Sequence, residues 1–122
     1  MSYNWGPLYI VPTNLIEKYQ GSVMLRERLD DEMLRKELQA LKLSGSVVKI
    51  SNPWYYRKKG DGTWIMIGES SDKDNNFPVT WDTRNLANGK YEILGLMHAF
   101  VAKGGKQNVI ARQNIVEVIV EN

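Results

Sequence analysis

The 122-residue chain predicts a mainly β protein, built from antiparallel strands in two layers with a single helix inserted at about residues 30–43. Three observations predict it. Apolar residues alternate on both sides of Asn88-Gly89: Phe77, Val79 and Trp81 precede it, and Tyr91 and Ile93 follow it. Asn and Gly tolerate the positive φ of tight reversals, so alternation on either side of such a pair marks antiparallel structure. Residues 91–102 then form the longest uninterrupted strand pattern, and only Leu29, Met33, Leu34, Leu38 and Leu41 recur at helical spacing.

The amino-terminal residues 1–20 carry Tyr3, Trp5, Leu8, Tyr9 and Ile10, with Pro7 and Pro12 between them. Proline fixes φ and pushes its neighbours toward extended backbone, so helix is not expected before Asn14. These residues are too apolar for a solvated tail. They are either an edge strand of the domain or an arm laid across a neighbouring subunit. From Ser22 the order Val23-Met24-Leu25-Arg26-Glu27-Arg28-Leu29 alternates, with Val23, Leu25 and Leu29 on one side and Arg26 and Arg28 on the other. The helix follows, with Asp30, Asp31 and Glu32 in its first turn, where carboxylates meet the positive end of the macrodipole, and Gly45 beyond its end.

Residues 46–57 read as a strand, β-branched at Val47, Val48 and Ile50 and aromatic at Trp54, Tyr55 and Tyr56. Pro53 cannot donate to a ladder and implies a bulge or an edge. Lys58-Lys59-Gly60-Asp61-Gly62 makes a turn, and residues 63–68 return antiparallel. The polar stretch 69–76 is a loop, Lys103-Gly104-Gly105-Lys106 is the last turn, and residues 115–120 are the terminal strand.

The run Trp81-Asp82-Thr83, followed by Asn88-Gly89-Lys90-Tyr91-Glu92-Ile93, resembles the signature of bacterial immunoglobulin-like, fibronectin III-like β-sandwich modules. The resemblance covers residues 46–122. It implies an immunoglobulin-like antiparallel β-sandwich over residues 21–122, with Trp81 in the core, Tyr91 opening the next-to-last strand, and residues 1–20 as an arm or edge strand. Two departures stand out. The helix replaces what is a short loop in a plain sandwich, so it either caps a face of the sandwich or docks on a partner. The turn at residues 103–108 also lacks the Asp and Gly-Asn usual in related modules.

In residues 91–102, one side carries Tyr91, Ile93, Gly95, Met97 and Ala99, and the other carries Glu92, Leu94, Leu96, His98 and Phe100. The resemblance sends Tyr91 and Ile93 inward. Leu94, Leu96 and Phe100 then point outward, and a face that apolar requires cover from the helix, the amino-terminal arm or another subunit.

Composition narrows the function. A chain of roughly this length buries about two-thirds of its unfolded surface, enough for one core. Hydrophobic residues at 43% and charged residues at 25% fit an ordinary globular domain, and a net charge of +2 does not argue for nucleic acid. With no cysteine, disulfides and thiolate chemistry are excluded. No run of about 18 apolar residues exists, so no helical membrane span is expected. The start lacks the basic and apolar regions of a secretory signal, which favours a cytoplasmic assembly or a virion over secretion.

Catalytic and cofactor patterns are missing. His98 is the only histidine and has no Ser or carboxylate at a suggestive spacing. Gly104-Gly105-Lys106 lacks the remaining positions of a phosphate loop. Asp72, Asp74, Asn75 and Asn76 lack the glycine and distal Glu of a helix-loop-helix calcium site. The expectation is therefore a non-enzymatic module with no cofactor and no metal. It would join other protein subunits in a larger complex or homo-oligomer through Trp5, Tyr9, Leu94, Leu96 and Phe100. The alternative is a carbohydrate- or polymer-binding module in which Trp54, Tyr55, Tyr56, Arg57, Lys58 and Lys59 set aromatic faces beside cations. Alternation turns half of those aromatics inward.

Overall fold

A computed structural model of the chain describes residues 2–4, 10–11, 18–27, 29, 31–42 and 45–122, with backbone alone for 2–4 and 10–11. Among the described residues it is mainly β with one α-helix. In chain order the elements are β1 (Ser2–Asn4), β2 (Ile10–Val11), β3 (Lys18–Tyr19), β4 (Ser22–Glu27), α1 (Asp31–Ala40), β5 (Ser46–Lys58), β6 (Ile65–Ser70), β7 (Val79–Asp82), β8 (Gly89–Lys103) and β9 (Lys106–Val120). The larger sheet runs β1-β9-β8-β5-β6, with β3 also on β9, and the smaller runs β2-β4-β7. Its short edge strands β1 and β3 lie parallel to β9, whereas β5, β6, β8 and β9 are mutually antiparallel. The described parts of residues 1–20 thus extend this chain's own two sheets; Trp5 and Tyr9 lie outside the described residues.

β8 and β9 form the long hairpin at the centre of the larger sheet, paired from Gly89 with Val120 to Lys103 with Lys106. Its turn places Gly104 and Gly105 at φ of +59° and +76°, a left-handed conformation that suits glycine and matches the strand twist. The Asn88-Gly89 reversal behaves differently from its sequence pattern. β7 pairs with β4, not with β8, so residues 83–88 cross from one sheet to the other. Side chains hold this crossing. The Thr83 hydroxyl and backbone N–H both donate to the Gly21 carbonyl, at 2.8 and 2.9 Å. The Asn122 backbone N–H donates to Asn88 Oδ1 at 2.9 Å, and the Tyr91 hydroxyl donates to the Ala87 carbonyl at 2.6 Å. Both Asp82 carboxylate oxygens accept from the Arg84 guanidinium, which holds that carboxyl down at about 2.

Directly opposed residues of neighbouring strands share a face, and the register therefore sorts the larger sheet into two faces. The inner face is covered twice. Over one half the smaller sheet packs Val23, Leu25 and Trp81 against Trp54, Tyr91, Ile93, Val116, Val118 and Val120. Over the other half α1 packs Leu34 and Leu38, with Leu29 and Phe77, against Met97, Ala99, Val101 and Ile110. The leucine stripe thus covers the inner face and leaves the Leu94 side to other residues. Asp31 and Glu32 occupy the first turn of α1, and the chain leaves the helix through Lys42 at φ +58°.

Candidate interaction surface

The outer face of the larger sheet holds the apolar residues that the alternation of β8 predicts there. Met66 lies opposite Tyr55, Tyr55 opposite Leu94, and Leu94 opposite Ile115, so an apolar row crosses four strands. Leu94 is only 7% exposed, flanked on both sides by Tyr55 and Ile115 of the same row. The row opens to solvent at Met66, which is 52% exposed.

Charge bounds this row on one side. Arg57, Glu92 and Glu117 sit opposite one another; Arg57 donates to Glu92 at 3.0 Å and stacks 4.1 Å from the centre of the Trp64 ring. Lys59 donates to Glu117 at 2.6 Å and Lys90 approaches it at 3.9 Å. The hydrogen bond from Lys59, reinforced by the charges of Lys59 and Lys90, holds the Glu117 carboxyl below its ordinary value. On the other side half-buried Leu96 faces Gln113, and His98 lies between Ser51 and Ala111. Half-buried Phe100 lies between Lys49, whose ammonium is 5.7 Å from the ring centre, and Val109, which is 45% exposed. Leu94, Leu96 and Phe100 therefore belong to one surface.

The hairpin residues are divided. Trp54 is wholly buried between the sheets and donates its indole N–H to the Phe77 carbonyl at 3.0 Å. Tyr56 lies on the same inner side, with its ring centre 5.4 Å from that of Trp81. Placing Trp54 in a ligand surface is thus corrected, because the core takes it, and Tyr56 turns to the inner side, half-buried against that core. Tyr55 and Arg57 lie on the outer face, Lys58 and Lys59 are exposed, and Arg57 already covers a face of the Trp64 indole.

Sequence reasoning also missed a buried polar seam on the inner face, where the two hydrophobic clusters meet. Glu27, at the end of β4, reaches over Gly95 of β8, with Asn52 and Asn114 beside it; all three side chains are essentially unexposed. Burial pushes the Glu27 carboxyl up to about 8, and the Asn114 and Asn52 amides pull it partly back. Next along β9, Arg112 pairs with Glu37 of α1. The alternation contained the signal, because Glu27 continues the inward series Val23, Leu25, and Arg112 and Asn114 continue that of Ile110.

Gly95 leaves the room that the Glu27 carboxylate fills, since a Cβ there would stand 2.4 Å from Oε2. Gly95→Ala is expected to destabilise the chain by about 1–3 kcal/mol through overpacking. Urea unfolding measures it, and combining the change with Glu27→Ala should recover part of the loss.

No family model, curated protein or solved structure matches the chain. Among the described residues no three His, Cys, Asp or Glu side chains gather as metal donors. No described helix is long and apolar enough to cross a membrane.

Proposed function

We propose that this chain is a non-catalytic module of the immunoglobulin-like β-sandwich class that acts as a protein subunit of a larger assembly or homo-oligomer, joined through the outer face of its larger sheet. The observation that carries the function is the apolar row Met66, Tyr55, Leu94 and Ile115, continued by Leu96, Phe100 and Val109 and bounded by the Arg57, Glu92 and Glu117 charges. An apolar centre with a charged rim is the composition of a protein contact. Three features support the class. β2-β4-β7 facing β6-β5-β8-β9 follows the division of strands in such sandwiches, a buried Trp54 sits on the strand expected to carry one, and the Tyr91 hydroxyl bonds back to Ala87 as a tyrosine corner does. A virus particle or a multi-subunit complex is a setting this reading implies.

Carbohydrate binding on the hairpin has less support, because Trp54 is in the core, Tyr56 packs half-buried against Trp81 and Arg57 occupies the Trp64 face. Sedimentation equilibrium tests the assembly reading. The chain is expected to exceed its monomer mass as concentration rises, and Met66→Asp with Val109→Asp should return it to the monomer with an unchanged circular dichroism spectrum. A chain that stays monomeric at every concentration would overturn the homo-oligomer form of the reading.

A further inference from the structure

The second edge of β5 is open over part of its length. β5 pairs with β8 from Ser46 to Lys58, yet β6 meets it only from Asn52, opposite Ser70, to Tyr56. After Ser70 the chain turns away into a short 3-10 helix at Lys73–Asn75. Among the described residues nothing pairs with the edge at residues 46–51. Backbone donors and acceptors on such an edge are a template for one more strand, which would lie in line with β6.

The space beside this edge has the shape and lining for that strand. Two adjoining hollows of about 280 and 360 Å³ share Asp31, Leu34 and Val47. Leu34 and Leu38 of α1 form one wall, Val47, Val48 and Ile50 of β5 form the floor, and Ser71 and Lys73 close one end. Val48, where the register with β8 shifts, is 56% exposed and Val47 is 39% exposed, although both are apolar.

Charge selects the occupant. Arg35, Lys49 and Lys73 line the slot, with Asp31 as the carboxylate among its lining residues. Asp31 is already held by Lys73 at 2.9 Å, and Glu32 is shared between Arg35 and Lys36. A second copy pairing edge to edge would bring two such basic slots together and set like charges opposite each other, which destabilises a sheet. We infer that the slot at residues 46–51 takes an extended peptide of another protein, one that alternates apolar and acidic residues and adds to β5 as a strand. Main-chain bonds to the β5 edge supply the affinity, the apolar side chains enter between α1 and β5, and the carboxylates meet Lys49 and Lys73. The slot shares only Lys49 with the outer face, where its ammonium stands 5.7 Å from the Phe100 ring centre.

The test titrates the 15N-labelled full chain with an acetylated peptide of alternating valine and glutamate, using alternating valine and lysine as the control. The acidic peptide is expected to shift the amides of residues 46–51 and of α1, and to slow hydrogen exchange along 46–51. Lys49→Glu with Lys73→Glu should weaken binding at least about tenfold, the loss of roughly one good charge pair. Met66→Asp with Val109→Asp should leave it unchanged, so that failure of the assembly reading shows separately. The inference is overturned if no amide in 46–51 responds, if the lysine peptide binds as well, or if those amides become protected with chain concentration alone, which would mark pairing between copies.

Discussion

Glu27→Gln is expected to raise the stability of the chain above about pH 8 by several kcal/mol while changing it little below pH 4.5. Below that lower value the carboxyl is protonated in the folded and unfolded chains alike, and glutamine is a close mimic of the neutral acid. Between 4.5 and about 8 the unfolded chain releases the proton while the folded chain, with Glu27 buried over Gly95, retains it. The unfolded state then binds fewer protons, so stability falls as pH rises, with a limiting slope of about 1.4 kcal/mol per pH unit. Summed over the window, the loss is on the order of 5 kcal/mol, a large fraction of what a domain of this size possesses. Glutamine has no proton to lose and should remove that slope. Urea midpoints at a series of pH values measure it, and equal slopes in the two proteins would show that Glu27 ionises normally. Asp82 does not confuse the reading. Its carboxyl, lowered from 3.8 to about 2 by Arg84, contributes stability above the unfolded value that is lost only as pH falls through the folded one.

The same seam explains what was legible in the sequence and what was not. Where burial is purely apolar the pattern was readable: α1 falls within the stretch that the leucine spacing marks, and β5 and β8 lie within a few residues of their expected bounds. β9 is different. Its expected strand was residues 115–120, whereas the strand runs Lys106–Val120. Arg112 and Asn114 point inward, and a pattern that scores apolar residues stops at them. Burying such groups is costly unless they are satisfied, so polar residues inside are the exception a hydrophobic pattern omits. The role of Asn88-Gly89 was hidden for another reason. Local alternation reports that two strands exist and not which strands they pair with, and β7 finds its partner in β4, far back in the chain. Nor were the neighbours of Leu94 legible, because Tyr55 and Ile115 come side by side with it only once three strands are in register.

Trp54→Ala should be among the most damaging single substitutions, costing about 3–5 kcal/mol, the usual range for removing a large buried aromatic side chain. Trp54 is fully buried, belongs to the cluster that joins the two sheets, and satisfies the Phe77 carbonyl with its indole N–H. Deleting it opens a cavity between the sheets and takes away that carbonyl's donor. Trp54→Phe separates the two effects, since phenylalanine keeps much of the packing and loses only the donor, so its cost should be smaller by the cavity contribution. Tyr55→Ala is the control one residue away: its side chain lies half-buried on the outer face beside Leu94, and its loss should cost clearly less. Thermal or urea unfolding of the three variants measures the series. The order matters for function as well. Were Trp54 a ligand platform on the hairpin surface, its removal would leave stability nearly intact and abolish binding alone. A core Trp54 reverses this, and any binding lost in Trp54→Ala would follow from unfolding while Tyr55→Ala, still folded, tests the outer surface directly.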